Sequence, residues 1–486
     1  MTLLRVGRMV AVLAVVVAEF GCGDTFRPVV TPINSIPPNP SSLHYALVLS
    51  SNGVCNPPAV NQPCDPGAST RIDVSGDTEV GSALVGLNPV HAVLSTGGAS
   101  VYVANQLEDS ISVYDPSGIN PVSTVSLPVG SAPVFVATTQ VLTVYVANSG
   151  NGTVSVVAAG SNVVTNTIAV GLDPDALAVM PNGQKLYVAN HGTGANPVNG
   201  SVLSVNTVDN SVNSPLAPPG GSSWNAPTWI VARSDNARVY VLDQGTGTVA
   251  AIATASDAVV GTASVGAGAN YMLYDRTRNR IYVTNPVART LTILDASTRP
   301  ATNPPTDPLT VLSSFNFAAA GAPCPGGCIP VSVAALPDGS RAYVASYQTT
   351  PNPCISNQPC AITSWLTVIN ASSNTVSKTI SLGVVNPNAP ISVPPTFQPD
   401  TPVVPACATP RFRLFAAASA DSSRVYVSYC DAGATASVST QPNTSPGTLS
   451  AGDYLVNELV APASALPPGS SGQPPPQTPV FVLAAP

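Results

Sequence analysis

The chain has 486 residues, 44% hydrophobic and only 8% charged, with a formal net charge of −7. Its 17 basic residues offer no basic surface for nucleic acid, and so few charges leave little material for acid–base or metal chemistry. The 37 glycines and 51 prolines fall between alternating apolar runs, the composition of many short strands joined by turns and not of disorder.

Residues 1–22 read as an export leader. Arg5 and Arg8 precede an apolar core, Met9–Ala18, that is too short to span a bilayer. The segment ends Glu19-Phe20-Gly21-Cys22 and resembles a lipoprotein signal, in which Cys22 would become the lipidated first residue. Gly21 and Cys22 fit that pattern, whereas Glu19 stands where the pattern has an aliphatic residue. Ordinary signal-peptide cleavage nearby is the alternative. Residues 23–42 carry Pro28, Pro32, Pro37, Pro38 and Pro40 and read as a semi-rigid tether. Residues 43–486 read as one domain.

With Cys22 set aside, the other eight of nine cysteines fall into near neighbours: Cys55/Cys64, Cys324/Cys328, Cys354/Cys360 and Cys407/Cys430. In an exported chain these are expected to be four disulfides pinning loops. Cys324-Pro-Gly-Gly-Cys328 has no histidine nearby to complete a zinc site.

The body repeats one strand. It reads Val101-Tyr102-Val103-Ala104-Asn105, and again around Tyr145, Tyr187, Tyr240, Tyr282, Tyr343 and Tyr426. The spacings are 43, 42, 53, 42, 61 and 83 residues, one unit of forty-odd residues with insertions. Each unit has an apolar run after a proline (Pro133-Val134-Phe135-Val136) and a short turn (Met180-Pro181-Asn182-Gly183). The Tyr-Val strand, a third strand and a fourth ending in Val-Gly complete it. Four antiparallel strands, repeated about seven times, predict a β-propeller.

The Tyr282-Val283-Thr284-Asn285 signature and its variants resemble the YVTN-family β-propellers of bacterial and archaeal surface or exported proteins, over about residues 42–486. The resemblance implies the fold; its repeated residues are strand and turn positions, and the tyrosines are expected to pack in the core or between blades. The N-terminal region has a degenerate Tyr-Val strand at Tyr45-Ala46-Leu47-Val48 but no first strand, and Pro479-Val480-Phe481-Val482 copies Pro133-Val134-Phe135-Val136. A C-terminal first strand closing the ring on the N-terminal blade would remove the open edge. That count gives eight blades, against the seven common in the family.

The long insertions are Asn52–Ser69, Gly192–Gly200, Pro218–Pro227, Ala318–Pro330, Gln348–Thr363 and Val384–Arg411. All join strands 2–3 or lead from one blade to the next, so one face carries them and is the expected binding surface. Trp224 on that face is expected either to stack on a sugar or partner or to cap the channel mouth. Trp229 is expected in the core and His91 along the channel. His191 follows Asn190 on the same face, with no Ser or Cys nucleophile evident. Asp173, Asp175 and Asn270, at first-strand starts, are the one set from which a metal site could be built, with turn-capping as the plainer role. No catalytic constellation and no cofactor cradle is evident.

The reading is therefore an exported, lipid-anchored propeller, monomeric and outer-membrane-associated, acting as a binding module for an envelope protein or polysaccharide. Gly23 after Cys22 avoids the Asp that favours inner-membrane retention. The alternative is a hydrolase or lactonase with a metal at the channel mouth.

Overall fold

The structure, a computed structural model, describes residues 45–51, 66–117, 121–139, 143–193, 199–221, 223–297, 309–319, 322–324, 326–350, 361–385, 413–442, 452–462 and 477–484. Contacts divide the chain into Met1–Leu43 and His44–Pro486, and every described residue lies in the second unit. The leader, the tether, Cys22, Cys55, Cys64, Cys354, Cys360 and Cys407 lie outside the described residues.

The strands form eight antiparallel sheets, the eight blades of a propeller. Blades 1 to 7 begin with the innermost strands Pro89–Leu94, Pro133–Thr138, Pro174–Val179, Pro227–Ala232, Tyr271–Asp275, Ile329–Ala335 and Leu414–Ala418. The eighth blade is shared by the termini. Its innermost strand is Thr478–Ala484, followed outward by Tyr45–Ser51, Ala68–Asp73 and Thr78–Leu84. Leu49 pairs with Phe481 and Val48 with Val482, so the C-terminal strand closes the ring in the expected place.

Blade 3 departs from the four-stranded plan. It has three regular strands, ending with Ser201–Asn206, and in place of a fourth an irregular segment joins it through a bridge between Val205 and Val212 and through bonds from Asn213 N–H to the Ser204 carbonyl and Leu216 N–H to the Val202 carbonyl. Blade 6 departs the other way. Arg341–Thr350 and Ala361–Asn370 run ten residues each, so the expected loop Gln348–Thr363 is strand at both ends.

The middle strands are buried on both faces because each blade packs between two others. Val101–Asn105 is buried at every position, whereas the outer strand Val163–Ala169 buries only Ile168. This is why the Tyr-Val segments are apolar runs and the fourth strands alternate. The seven repeat tyrosines are at most 1% exposed, and burial of each aromatic body contributes roughly 2–3 kcal/mol.

These tyrosines also reach across blade boundaries, which the repeat alone does not reveal. The Tyr187 hydroxyl donates to Asp257 Oδ1 at 2.5 Å, Tyr343 to Asp453 Oδ1 at 2.6 Å and Tyr426 to Asp77 Oδ1 at 3.1 Å. Each acceptor sits in the 3–4 turn of the following blade. Asp77, Asp257 and Asp453 all have positive φ (49°, 51° and 55°), a conformation that Asp and Asn tolerate. Two residues before each tyrosine stands a cation bound to the same carboxylate: Lys185 at 3.0 Å, Arg341 at 2.7 Å and Arg424 at 2.8 Å. Where the position before the tyrosine is uncharged, at Ser100 and Thr143, the opposing turns carry Asn162 and Asn210. The match is broken between blades 5 and 6, where Arg280 faces Asn374. Burial, and then the neighbouring carboxylate, push the Tyr187 and Tyr343 hydroxyls far above their ordinary range.

At the closure, Asp77 takes four partners from blade 7. Arg424 and Tyr426 bind its carboxylate, Ser437 donates to it, and Asn457 donates to its carbonyl at 3.1 Å. The terminal blade is thus tied by its innermost strand and by this turn.

Candidate functional site

The axis is decided by a bulge repeated around the ring. In blade 1 Pro89 pairs with Asn105 and His91 with Ala104, so Val90 is an extra residue. The same shift recurs at Pro133/Phe135, Pro174/Ala176, Pro227/Trp229 and Pro330/Ser332. A bulge re-aims the side chain after it. Blade 8 has the same shift before Phe481, while Tyr271 and Phe415 hold the equivalent register without a bulge. Six of the residues at this register position are aromatic, and they form an unbroken circuit. His91 stacks on Phe135 with centroids 3.9 Å apart, Phe135 meets Trp229 at 5.8 Å, and Trp229 meets Tyr271 at 4.9 Å. Tyr271 meets Phe415 at 5.6 Å, Phe415 meets Phe481 at 4.5 Å, and Phe481 returns to His91 at 4.8 Å. Ala176 and Ser332 are the small members, and the rings bridge past them. All six rings are 7 to 9% exposed, so the axis is packed with side chains at this level. Trp229 is core, as expected, and His91 lines the axis, its Nδ1 accepting from Val136 N–H at 3.3 Å.

On the insertion-bearing face, the Asn that ends the Tyr-Val strand pins the incoming inter-blade loop. Asn105 Oδ1 accepts from Gly86 N–H at 3.1 Å, and Asn190 Nδ2 donates to the Val170 carbonyl at 2.7 Å. Asn285 Nδ2 donates to the Gly266 carbonyl at 2.8 Å. Close backbone approach there requires glycine: a Cβ on Gly247, at φ 65°, would lie 2.1 Å from Gly266 carbon. Blade 4 has Asp243 in the Asn place. It is 2% exposed and accepts from Asn225 N–H at 3.1 and 3.2 Å. Burial outweighs these bonds and pushes its carboxyl up to about 6. In blade 6 the expected Cys324–Cys328 disulfide is present, and the Ser346 hydroxyl lies 3.2 Å from the Cys328 sulfur. Cys430 is disulfide-bonded as well, its expected partner Cys407 lying outside the described residues. Next to it Arg413, 2% exposed, pairs with Asp431 at 2.9 Å and lies over the Tyr347 ring.

The residues singled out on this face are mostly enclosed. Trp224 is 3% exposed and its indole N–H donates to the Leu216 carbonyl at 2.8 Å. It therefore presents no ring face for stacking on a ligand, because the segment leading into blade 4 folds over it. His191 is 7% exposed, with Nδ1 3.1 Å from the Gly192 carbonyl and 3.7 Å from Asp173 Oδ2. Asp173 sits at φ 54° and its carbonyl accepts from His191 N–H, a turn-forming role. Asp175 is the extra residue of the blade 3 bulge. Asn270 donates to the Val331 carbonyl at 3.3 Å and accepts from the Thr284 hydroxyl at 3.1 Å, bridging blades 5 and 6. Among the described residues no three His, Cys, Asp or Glu side chains group closely enough to hold a metal ion.

The opposite face, carrying the 1–2 and 3–4 turns, holds a cavity of about 590 Å³ between blades 3 and 4. Asn182 and Gln184 line it from the 1–2 turn of blade 3, Asn206 and Asn213 from its 3–4 segment, and Asn236 from blade 4. It lies where the fourth strand of blade 3 is irregular; the start of the 3–4 segment is held as in the other blades, with Thr207 N–H donating to the Gln184 carbonyl at 3.2 Å as Thr254 N–H does to the Ala237 carbonyl. No signal for this site stood out in the sequence, since these are ordinary turn residues.

No family model matches the chain, and no curated protein matches it. Solved structures, a β-propeller domain among them, align with it at low identity. Hydrazine synthase of Kuenenia stuttgartiensis is 19% identical over 66% of this chain and 90% of its own, with a TM-score of 0.43. The β-propeller domain of Myceliophteria thermophila Cps50 (Swd1) is 8% identical over 74% and 96%, at 0.49. The dihydro-heme d1 dehydrogenase NirN is 13% identical over 78% and 66%, also at 0.49. The chain is an eight-bladed β-propeller on the pairing of its own strands.

Proposed function

We propose that this protein is a YVTN-type propeller, exported and anchored through a lipid on Cys22, that acts as a monomeric binding module for an envelope polysaccharide or protein. The observation carrying this reading is the aromatic circuit on the axis, which directs recognition to the loop and turn surfaces of the ring. The Pro-rich segment 23–42 would hold the body away from an outer membrane, and the insertion-bearing face would meet the partner.

Two experiments test it. In a bacterial host, Cys22→Ala should abolish incorporation of labelled fatty acid and release the body from the membrane fraction; unchanged membrane retention without label would overturn lipid anchoring. Purified body should sediment saturably with isolated cell-envelope material, and deletion of residues 351–360, which spares the flanking strands, should weaken that association. Undiminished association would remove this face from the reading. Metal-dependent ester or lactone turnover lost on changing Asp173, Asp175 and Asn270 would replace the binding module with the hydrolase alternative.

A further inference from the structure

The geometry points to the cavity between blades 3 and 4 as a binding site for a neutral, hydroxyl-rich ligand, a carbohydrate. The site lies on the turn face and therefore goes beyond the loop-face reading above. Seven blades keep four strands, and the cavity opens at the one blade that does not.

The chemistry of its wall selects the ligand class. Asn182 N–H donates to Asn236 Oδ1 at 2.7 Å, Asn182 Nδ2 to Gln184 Oε1 at 3.3 Å, and Val208 N–H to Asn206 Oδ1 at 2.9 Å. These bonds fix three carboxamides by their oxygens. Their NH₂ groups, on Gln184, Asn206 and Asn236, make no hydrogen bond among the described residues, and all three residues line the cavity. Asn213 is held the other way round, its Nδ2 donating to the Ser204 hydroxyl at 2.8 Å, which leaves Oδ1 as an acceptor. A row of fixed donors with one acceptor suits hydroxyl and ring oxygens, each of which can accept and, as a hydroxyl, also donate.

Other ligand classes fit less well. A metal cation needs oxygens where this wall offers N–H groups. The one cation, Lys185, is held by Asp257 at 3.0 Å, and Asp209 in the 3–4 turn is exposed, so an anion meets no net positive charge. The apolar contributions are Met180, Val208 and Ala255, too few for a hydrophobic ligand.

The test uses the whole body, His44–Pro486, against a panel of neutral oligosaccharides, acidic oligosaccharides and an uncharged peptide, with calorimetric titration of whichever binds. Gln184→Glu, Asn206→Asp and Asn236→Asp keep every oxygen that accepts within the protein and replace only the unpaired NH₂ groups by a charged acceptor. Saturable binding of a neutral oligosaccharide, weakened at least tenfold by each change while the unfolding midpoint stays put, is the expected result. The assignment is overturned if no neutral oligosaccharide saturates, if the three variants bind like the parent, or if the peptide alone binds. Envelope association is read separately in the same three variants: its survival leaves the loop-face reading intact whichever way the oligosaccharide result falls.

Discussion

Asp243→Asn is expected to stabilise the protein at neutral pH and to leave it unchanged in acid. Blades 1, 2, 3 and 5 use Asn105, Asn148, Asn190 and Asn285 at this position, and Asn148 shows the bond an amide would make, donating to Thr153 at 2.9 Å. Thr248 stands in the corresponding place beside Asp243. The Asp243 carboxyl titrates at about 6 in the folded protein against an ordinary 3.8, so the folded state holds its proton more tightly than the unfolded chain. The stability tied to that proton is fully present below pH 4 and is lost as pH rises through 6. The difference is about 2 pH units, or about 3 kcal/mol, and the isosteric amide should recover about 1–3 kcal/mol of it at pH 8. For a domain the size of His44–Pro486 each kcal/mol moves Tm by about 1 °C. Urea unfolding midpoints of both proteins from pH 4 to pH 8 are the assay. The curves should coincide at the acid end and separate between pH 4 and 7, the variant lying higher. A variant less stable at pH 8, or a gap independent of pH, would refute the reasoning.

Asp77→Ala removes the acceptor for Arg424, Tyr426 and Ser437 at the ring closure and should cost about 3–5 kcal/mol in urea unfolding, because a largely buried guanidinium loses its partner. Tyr343→Phe should lose about 1–2 kcal/mol with its bond to Asp453, whereas Tyr282→Phe should cost much less, since among the described residues its hydroxyl meets no carboxylate of the following blade; equal losses would deny the inter-blade role. Phe135→Ala, which breaks the axial circuit between His91 and Trp229, should cost about 3–5 kcal/mol, read as a lower unfolding midpoint. Cys324→Ser with Cys328→Ser should lower stability by about 2 kcal/mol for so short a loop, and reductant should cost the parent about that much more than the variant, since Cys430 is disulfide-bonded in both.

The blade number and the closure were legible in the sequence because a repeated strand must pair with its own kind. Pro479-Val480-Phe481-Val482 copies an innermost strand, and only the N-terminal blade lacks one. The Tyr-Val runs announced burial through their unbroken apolarity. Other features depend on residues far apart in the chain. Tyr426 and Asp77 are 349 positions apart, and nothing local to either marks the pair. His91, Phe135, Trp229, Tyr271, Phe415 and Phe481 are scattered singly along the sequence, and become a circuit only because the closed ring brings the same register position of each innermost strand to a common axis. Trp224 read equally as a ligand-stacking residue or a cap on the channel mouth, and only the fold shows that its indole is enclosed, bonded to the Leu216 carbonyl. The cavity between blades 3 and 4 lies beside a strand that is irregular in the fold, which no local pattern marks. Periodicity, a local property, determined the architecture; the meeting of side chains across blades was decided only by the closed ring, which brings sequence-distant turns to within hydrogen-bond distance.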